Sequence, residues 1–374
     1  MEKRYKILIT VLFSLFIGSF LLLNLLLPEK EFSSNENRYL QTFPRFSFSS
    51  LADGTFTRKA EVYASDQFPL RDKWISMKAR LDLAQGKKEN NGIFLCQGDR
   101  LIEPYTAPEP SVLTKKAELV NAFSARADIP VTLALVPSSA EFYGDLLPDG
   151  VRNDSQAETT DFFTMLENVQ TADLCTALSA HRDEYIYYRT DHHWTSLGAL
   201  YASERILQSF GVNCVLVPES FPVKTVSDDF KGTAYSRSGF FWIEPDSIDA
   251  YVLPSEDLKV ERIEGASAES GSLYDASMLE TKDKYRFFLG GNCPLIRIDT
   301  GNEDRPSLLI IRDSYADSLL PFLLGEFSHI HMIDFRYYHD SVISYIREND
   351  IDNALILYGL SDFLTDPGLE FIAG

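Results

Sequence analysis

The chain has 374 residues, and its 35 Lys and Arg residues against 55 Asp and Glu residues give a formal net charge of −20 at pH 7. This length suits one large domain or two smaller ones, and the 45% apolar fraction is ordinary for a globular protein with a real core. The acidic balance argues against nucleic-acid binding, because phosphate recognition needs clustered Lys and Arg side chains.

The N-terminal segment is apolar and long enough to cross a membrane. Lys3, Arg4 and Lys6 precede an uncharged stretch, residues 7–27, which would form a helix of roughly 31 Å. A cleaved signal peptide has a shorter apolar region and a small-residue cleavage site, whereas Pro28 and charged residues follow here. We therefore expect an uncleaved signal anchor. Its basic flank precedes the span, which predicts a cytoplasmic N-terminus.

The remainder of the chain is expected to lie outside the cell membrane, as the large domain of a single-pass protein. We assign residues 1–27 to the cytoplasmic tip and anchor, 28–55 to a linker, and 56–374 to an extracytoplasmic domain. Within that domain, residues 212–300 are rich in Ser, Gly, Asp and Glu with short extended pieces, which predicts a β-rich insertion.

The first predicted elements of the domain are helical. Residues 56–87 read as two helices broken at Pro69, residues 92–103 read as a hairpin, and a further helix follows Ser111.

Apolar runs then alternate with helical patterns. Continuous apolar runs are typical of strands buried on both faces of a parallel sheet, and alternation with helices predicts a mostly parallel α/β sheet. The predicted strands are 131–137, 185–188, 308–311, 330–333 and 354–358. The predicted helices between them are 173–184, 196–210, 315–327 and 341–348.

A serine follows one of these strands directly. In LLIIRDSYADSLLPFL, residues 308–323, the apolar strand ends at Arg312-Asp313, and a helix begins after Ser314. Ligands of open α/β sheets bind at the carboxyl ends of the strands, and the first turn of a helix offers free N–H groups to an oxyanion. Ser314 is therefore a candidate nucleophile. The alternative is a purely structural N-cap, a position that serine favours.

A candidate base lies in YYRTDHHWTSLGAL, residues 187–200. A serine nucleophile needs a base, and the base needs a group that orients it. An Asp-x-His pair can bring carboxylate and imidazole together within one turn of chain, so Asp191 could hold His193 while the ring faces Ser314. His192 would then take a supporting or substrate-facing role.

Two other interpretations of this cluster stay open. Asp191, His192 and His193 could bind a metal with help from further histidines, although no H-x-x-x-H or H-E-x-x-H spacing is present and we assign no metal. Alternatively, Asp191 or Thr195 could be a helix N-cap beside two incidental histidines. The further histidines are His329, His331 and His339.

The motif RTDHHWTSLGA resembles the signature of the bacterial DHHW protein family, which is similar to the alginate O-acetylation proteins. The resemblance extends over most of the chain outside the anchor, and its strongest downstream part is IIRDSYADSLLPFL. Further matching segments are ENRYLQTFP (36–44), YASDQFPLRD (63–72), LVPSSAEFYGDLLP (135–148), FKGTAYSRSG (230–239), FFLGGNCPL (287–295) and IDFRYY (333–338).

The resemblance implies an SGNH-hydrolase-like α/β domain with a permuted motif order, in which the Asp-x-His element precedes the strand of the nucleophile. It also implies roles for three residues: Asp191 orients, His193 is general base and then acid, and Ser314 is the nucleophile. The activity implied is serine O-acyltransfer, as O-acetyltransfer to a cell-envelope or secreted polysaccharide. The acyl donor would be a multi-pass acyltransferase in the same membrane, and no cofactor is expected.

The resemblance leaves the substrate contacts less defined. Arg312 stands where the SGNH fold commonly has glycine two residues before the serine, so it is a candidate contact. Asn292 is a candidate oxyanion donor, and Tyr235 and Arg336 are candidate substrate contacts, as is His192. Two alternative functions remain: a carbohydrate acetylesterase with the same triad, and a non-catalytic glycan-binding or assembly module.

Overall fold

The computed structural model describes residues 2–151, 155–252 and 258–374. The chain forms two compact units. The first comprises residues up to Asn91 together with Tyr235–Trp242, and the second comprises Gly92–Ala234 together with Ile243–Gly374. This division differs from the predicted domain start at residue 56.

The first unit is mainly helical, with short strands. Its helices are α1 (Glu2–Leu26), α2 (Phe48–Ala52), α3 (Thr55–Asp66) and α4 (Arg71–Ala84). Its strands are β1 (Phe32–Ser33), β2 (Arg38–Tyr39) and β3 (Glu89–Asn90), of which β1 and β2 pair antiparallel. The two helices expected around Pro69 are confirmed as α3 and α4.

Helix α1 is the one helix in the described ranges that is long and apolar enough to cross a membrane. Its segment Lys3–Asn24 has a mean hydropathy of 2.4, and none of that window is buried within the protein. Length and composition of this kind are shared by membrane anchors and signal sequences.

The segment 28–55, expected to be a linker, contains β1, β2 and α2 and is tied to α3 by an ion pair. The guanidinium of Arg38 donates two hydrogen bonds to Asp66, of 2.6 and 3.0 Å, and the N–H of Gln41 donates a third, of 2.9 Å. Asp66 is buried. Bidentate charge-assisted hydrogen bonds hold two groups in a defined geometry. They join residues 28–55 to α3 within the first unit.

The second unit contains an eight-stranded sheet. Its strands, and those of two smaller ladders, are β4 (Ile93–Cys96), β5 (Arg100–Ile102), β6 (Val131–Val136), β7 (Gln170–Ala172), β8 (Val223–Phe230), β9 (Asp246–Tyr251), β10 (Lys259–Glu264), β11 (Ser267–Gly271), β12 (Leu295–Asp299), β13 (Leu308–Arg312), β14 (His329–Ile333) and β15 (Asn353–Gly359). The helices are α5 (Pro110–Ala127), α6 (Ser139–Tyr143), α7 (Ser155–Phe163), α8 (Leu174–Ser179), α9 (Ser196–Ser209), α11 (Tyr315–Leu319), α12 (Val342–Glu348) and α13 (Leu360–Thr365), and the helix α10 (Thr233–Ser238) begins in this unit and belongs to the first unit from Tyr235 on.

The large sheet is mixed, with the expected parallel strands and three antiparallel strands beside them. Its strand order is β11-β10-β12-β14-β13-β15-β6-β7. The five strands from β14 to β7 are parallel, whereas β12, β10 and β11 are antiparallel. These antiparallel strands come from the predicted β-rich segment 212–300, and they extend one edge of the parallel core.

Four of the five predicted apolar strands are confirmed as β6, β13, β14 and β15. The prediction of a strand at 185–188 is wrong, because Tyr187 makes only an isolated bridge, with Trp194. A closed loop, and not a sheet ladder, buries the side chains of Tyr187 and Tyr188. The helix expected at 315–327 ends early, at Leu319, before Pro321. Proline has no N–H to continue the helical ladder.

Strand β13 lies in the centre of the sheet, and both of its faces are buried. Leu308 and Ile310 pack into one hydrophobic cluster, and Leu309 and Ile311 pack into the other. Two-sided burial explains the continuous apolar run in the sequence. It also fixes the point at which the chain leaves the sheet, directly before Ser314.

Candidate active site

The DHHW segment forms a closed loop. The N–H of Tyr188 donates to the carbonyl of His193 at 3.2 Å, and the N–H of Thr195 donates to the carbonyl of Ile186 at 2.9 Å. Trp194 fixes this loop against α11, since its indole Nε1 donates to the carbonyl of Tyr315 at 3.1 Å. The loop therefore holds the residues at its tip in a set position near the carboxyl end of β13.

Three side chains form a continuous hydrogen-bonded relay. Asp191 Oδ1 lies 2.5 Å from His193 Nδ1, and His193 Nε2 lies 2.8 Å from Ser314 Oγ. The backbone N–H of His193 also donates to Asp191 Oδ1, at 3.0 Å. Asp191 and His193 are buried, whereas Ser314 is half-buried. This is the geometry of an oriented base facing a hydroxyl.

Ser314 is the N-cap residue of α11, but its side chain makes no capping hydrogen bond. The neighbouring Asp313 supplies the capping hydrogen bond instead, since its Oδ1 accepts from the N–H of Tyr315 at 2.9 Å. Its Oδ2 accepts from the N–H of Gly359 at 2.7 Å. Because the cap is supplied by Asp313, the hydroxyl of Ser314 faces His193.

The pKa shifts describe an ionised carboxylate beside a neutral imidazole. Burial disfavours the charge on Asp191, but the charges of His192 and His193 and its hydrogen bonds outweigh burial and hold its pKa well below the usual range. Burial lowers the pKa of His193 to about 4, and the charge of His192 acts in the same direction. At neutral pH His193 can therefore accept a proton at Nε2.

The outer oxygen of Asp191 is held by residues at the start of α10. Its Oδ2 accepts from the N–H and hydroxyl of Thr233, at 2.7 and 3.1 Å. A Cβ placed on Gly232 would lie 2.1 Å from the same oxygen, so the chain approaches more closely than any other residue type allows. These contacts hold the carboxylate of Asp191 in one orientation.

Two tyrosines enclose the imidazole of His193. The ring of Tyr285 stacks on it, with centroids 3.8 Å apart and planes 10° apart, and the ring of Tyr315 lies 5.0 Å away. The hydroxyl of Tyr285 donates to the carbonyl of Ser314 at 3.3 Å and contacts Ser318 Oγ at 3.1 Å. Tyr285 therefore contacts both the base and the segment that carries the serine.

For the serine acyl transfer expected from the sequence, we expect Tyr285→Leu to lower kcat/KM by about 100-fold, since a misplaced base costs that order. Tyr285→Phe keeps the stacked ring and loses only the hydroxyl, so we expect about fivefold or less. Steady-state kinetics of both variants, with thermal unfolding to check folding, measure this. Equal losses in the two variants would contradict a role for the stacked ring.

His192 is partly exposed, and its Nδ1 lies 2.7 Å from the hydroxyl of Thr233. In the described ranges, Asp191, His192 and His193 are the one group of three whose ligand atoms lie close enough to share an ion, within 4.8 Å of one another. An ion bound by all three would compete with the hydrogen bonds that join His193 to Asp191 and Ser314. The observed contacts favour the relay.

Two of the candidate substrate contacts are buried, which corrects the expectation. Tyr235 belongs to the first unit and is 1% exposed, and its hydroxyl donates to Asn35 Oδ1 and to the carbonyl of Phe241. Arg312 is fully buried and pairs with Asp317 at 2.8 Å. Neither side chain offers a surface to a substrate.

The other three candidates, His192, Asn292 and Arg336, are accessible. Asn292 is exposed, and the side chain of Arg336 is 36% exposed. Arg336 Nη2 donates to Asn292 Oδ1 at 3.4 Å. Tyr285, Gly232 and Thr233 also contact the relay, and none of them was predicted as a site residue. The Gly-Thr pair lies in a recognised segment and could have been noticed, whereas Tyr285 carries no local signal.

The same motif relates this chain to known proteins. The family model described as DHHW protein matches residues 149–333, a range that contains the relay from Asp191 to Ser314. This match confirms the resemblance drawn from the sequence.

Individual relatives are distant. The chain is 22% identical over 232 residues to a probable alginate O-acetylase AlgJ of Pseudomonas syringae, an alignment that covers 58% of this chain and 59% of that protein. A DHHW family protein from Eubacterium siraeum, solved by crystallography, is 25% identical with a TM-score of 0.67, covering 75% of this chain and 96% of that one. Bacillus cereus PatB1 is 18% identical with a TM-score of 0.63, covering 75% and 97%, and shares the fold.

Proposed function

We propose that this chain, a relative of the DHHW proteins, is a membrane-anchored serine O-acyltransferase that acetylates a polysaccharide outside the membrane. The observation that carries the proposal is the relay of hydrogen bonds from Asp191 through His193 to Ser314. The name of the AlgJ relative, a probable alginate O-acetylase, supports the acetyl group and the glycan acceptor. The apolar helix α1 supports the anchor.

In the proposed first half-reaction, His193 Nε2 takes the proton of Ser314 as Oγ attacks the carbonyl carbon of an acyl donor. The imidazolium that forms is stabilised by the carboxylate of Asp191. The tetrahedral intermediate collapses, the bond to the leaving group breaks, and that group receives the proton from His193. Ser314 is left as an acetyl ester. The N–H of Ser314 and a second donor, for which Asn292 is a candidate, would stabilise the oxyanion.

The second half-reaction returns the enzyme to its starting state. His193 removes the proton of a glycan hydroxyl, whose oxygen attacks the acetyl-serine carbonyl. Collapse of the second intermediate releases the acetylated glycan, and His193 gives its proton back to Ser314 Oγ. A multi-pass acyltransferase of the same membrane is the proposed source of the acetyl group. We also propose that the domain is SGNH-hydrolase-like with a permuted motif order, in which the Asp-x-His element precedes the strand of the nucleophile.

The proposal is tested with the full chain in detergent micelles and a small activated ester, 4-nitrophenyl acetate. We expect release of 4-nitrophenol and a transient mass gain of one acetyl group, both lost in Ser314→Ala. Turnover without an acceptor glycan would measure the esterase activity of the same triad. A folded protein with neither an adduct nor turnover above Ser314→Ala would refute a serine acyl-enzyme and favour a glycan-binding module.

The pH profile of the same reaction provides a separate prediction. His193 acts as a base only when neutral, and burial lowers its pKa to about 4. We therefore expect kcat/KM to rise with pH through about 4 and to stay level towards pH 7, with circular dichroism showing the folded range. In His192→Gln the midpoint should move upward, because a positive neighbour is removed. A midpoint near the ordinary histidine value would contradict the burial argument.

A further inference from the structure

His192 is the accessible ring beside the relay. Its side chain is 39% exposed, whereas His193, Tyr285 and Tyr315 are buried. The ring of Tyr285 stacks on the His193 imidazole with centroids 3.8 Å apart, and the ring of His192 lies 3.9 Å from the same imidazole. Two rings this close cannot share one face, so they enclose His193 between them. Of these rings, His192 is the one that a molecule approaching Ser314 can contact.

Thr233 fixes which nitrogen of His192 carries the proton. Its hydroxyl lies 3.1 Å from Asp191 Oδ2 and 2.7 Å from His192 Nδ1, and it has one hydrogen to donate. The ionised carboxylate can only accept, so the hydroxyl donates to Asp191 and its oxygen accepts from Nδ1. Asp191 Oδ1 lies 3.7 Å from the same Nδ1, where a protonated nitrogen is favoured over a lone pair. Neutral His192 therefore carries its proton on Nδ1.

The second ring nitrogen of neutral His192, Nε2, is then a hydrogen-bond acceptor. Among the described residues, none forms a hydrogen bond with it. The Nδ1 atoms of His193 and His192 lie 2.5 and 3.7 Å from Asp191 Oδ1, so in both rings Nε2 faces away from the carboxylate. The two close-packed rings thus present two acceptors, and Nε2 of His193 is the one that lies against Ser314.

A single hydroxyl of an acceptor molecule can donate to only one of these two nitrogens. In the proposed second half-reaction, the reacting hydroxyl gives its hydrogen to His193 Nε2. A hydrogen bond to His192 Nε2 must then come from a second hydroxyl. Sugars carry hydroxyls on adjacent carbons, and two close-packed imidazoles match such a pair.

We propose that His192 Nε2 accepts a hydrogen bond from a second hydroxyl of the acceptor, and that the site thereby selects acceptors with two neighbouring hydroxyls. The oxygen of the first hydroxyl bonds to the acetyl carbon as the bond to Ser314 Oγ breaks, and the second hydroxyl keeps its proton. This inference deepens the proposed function and rests on it for the transfer step. The contact with His192 can be measured without catalysis.

Ethylene glycol and 2-methoxyethanol are matched acceptors, because a methyl group replaces the second hydroxyl hydrogen in the latter. The two compete at equal concentrations for the full chain in micelles with 4-nitrophenyl acetate, and mass spectrometry measures the acetyl ester of each. We expect about fivefold more transfer per hydroxyl to ethylene glycol, the effect of one hydrogen bond. In His192→Asn, which keeps a donor for Thr233 but lacks Nε2, the ratio should fall to about one. A general loss of activity cancels in this ratio.

Thr233 provides a second pair of variants for the same ratio. Thr233→Val removes the hydroxyl that orients His192, so the preference for ethylene glycol should fall towards about one. Thr233→Ser keeps a hydroxyl and should keep the preference. A ratio near one in the unchanged protein, or a ratio that His192→Asn leaves as it is, would overturn the inference.

Ring ¹⁵N NMR of Ser314→Ala, which cannot form the acetyl-serine, measures the contact alone. We expect the proton of neutral His192 on Nδ1, and a larger shift of Nε2 on titration with ethylene glycol than with 2-methoxyethanol. A proton on Nε2 of the neutral ring, or equal shifts with the two alcohols, would overturn the inference. A larger shift with ethylene glycol, when the unchanged protein forms no acetyl-serine, would support the contact and refute only the acyl-enzyme.

Discussion

Asp191→Asn is expected to lower kcat for acetyl ester cleavage by about 10⁴-fold, because the asparagine amide forces the wrong tautomer on His193. The two oxygens of Asp191 both accept: Oδ1 from His193 and Oδ2 from the N–H and hydroxyl of Thr233. Asparagine has one oxygen, and we expect the N–H of Thr233, at 2.7 Å, and its hydroxyl to hold that oxygen in preference to the backbone N–H of His193, at 3.0 Å. The amide NH₂ then faces His193 Nδ1, which must lose its proton. Nε2 carries the proton instead and can no longer accept one from Ser314.

The measurement combines steady-state kinetics with ¹⁵N NMR of the histidine rings, which reports which nitrogen carries the proton. Asp362→Asn is the matched control. The charge of Asp362 also acts on His193, so this variant removes a nearby negative charge while the bond to Asp191 remains. We expect a loss of about threefold or less there. A loss under tenfold in Asp191→Asn, or an unchanged His193 tautomer, would refute the orienting role.

The parts of the fold and site that could be predicted are those encoded over short distances in the sequence. Strands β6, β13, β14 and β15 are buried on both faces, so each appears as a continuous apolar run. Asp191 and His193 are two residues apart in one loop, so their contact follows from local geometry. Ser314 stands directly after a predicted strand, at the edge where ligands bind.

The parts that could not be predicted depend on contacts between distant segments. Tyr285 stacks on His193, but the two residues are far apart in sequence and no pattern pairs them. The aromatic run before Arg189 suggested a strand, because burial by a closing loop and burial in a sheet select similar side chains. Strands β10–β12 join the sheet antiparallel, and their partly exposed pattern does not reveal their partner.

Arg312 was predicted to contact the substrate because it stands two residues before Ser314. Its burial instead gives it a structural role, as the partner of Asp317. Its Nη1 lies 2.8 Å from Asp317 Oδ1, and the two side chains are 0% and 2% exposed. Burial raises the pKa of Asp317 to about 7, and the charge of Arg312 opposes that rise. A fully buried arginine requires a counter-charge. Asp317, in the helix that follows Ser314, was the residue in the sequence that could have indicated this ion pair.

Arg312→Met is expected to destabilise the protein by about 3–5 kcal/mol, because it leaves Asp317 buried without its partner. The variant should unfold about 5–10 °C lower than the unchanged protein, by calorimetry in the same micelles. The double variant Arg312→Met/Asp317→Leu is the control, since replacing both charges by apolar groups removes the unpaired carboxylate. It should recover to within about 1 kcal/mol. If the double variant loses as much as the single variant, the loss comes from packing around Arg312, and the ion pair is not its cause.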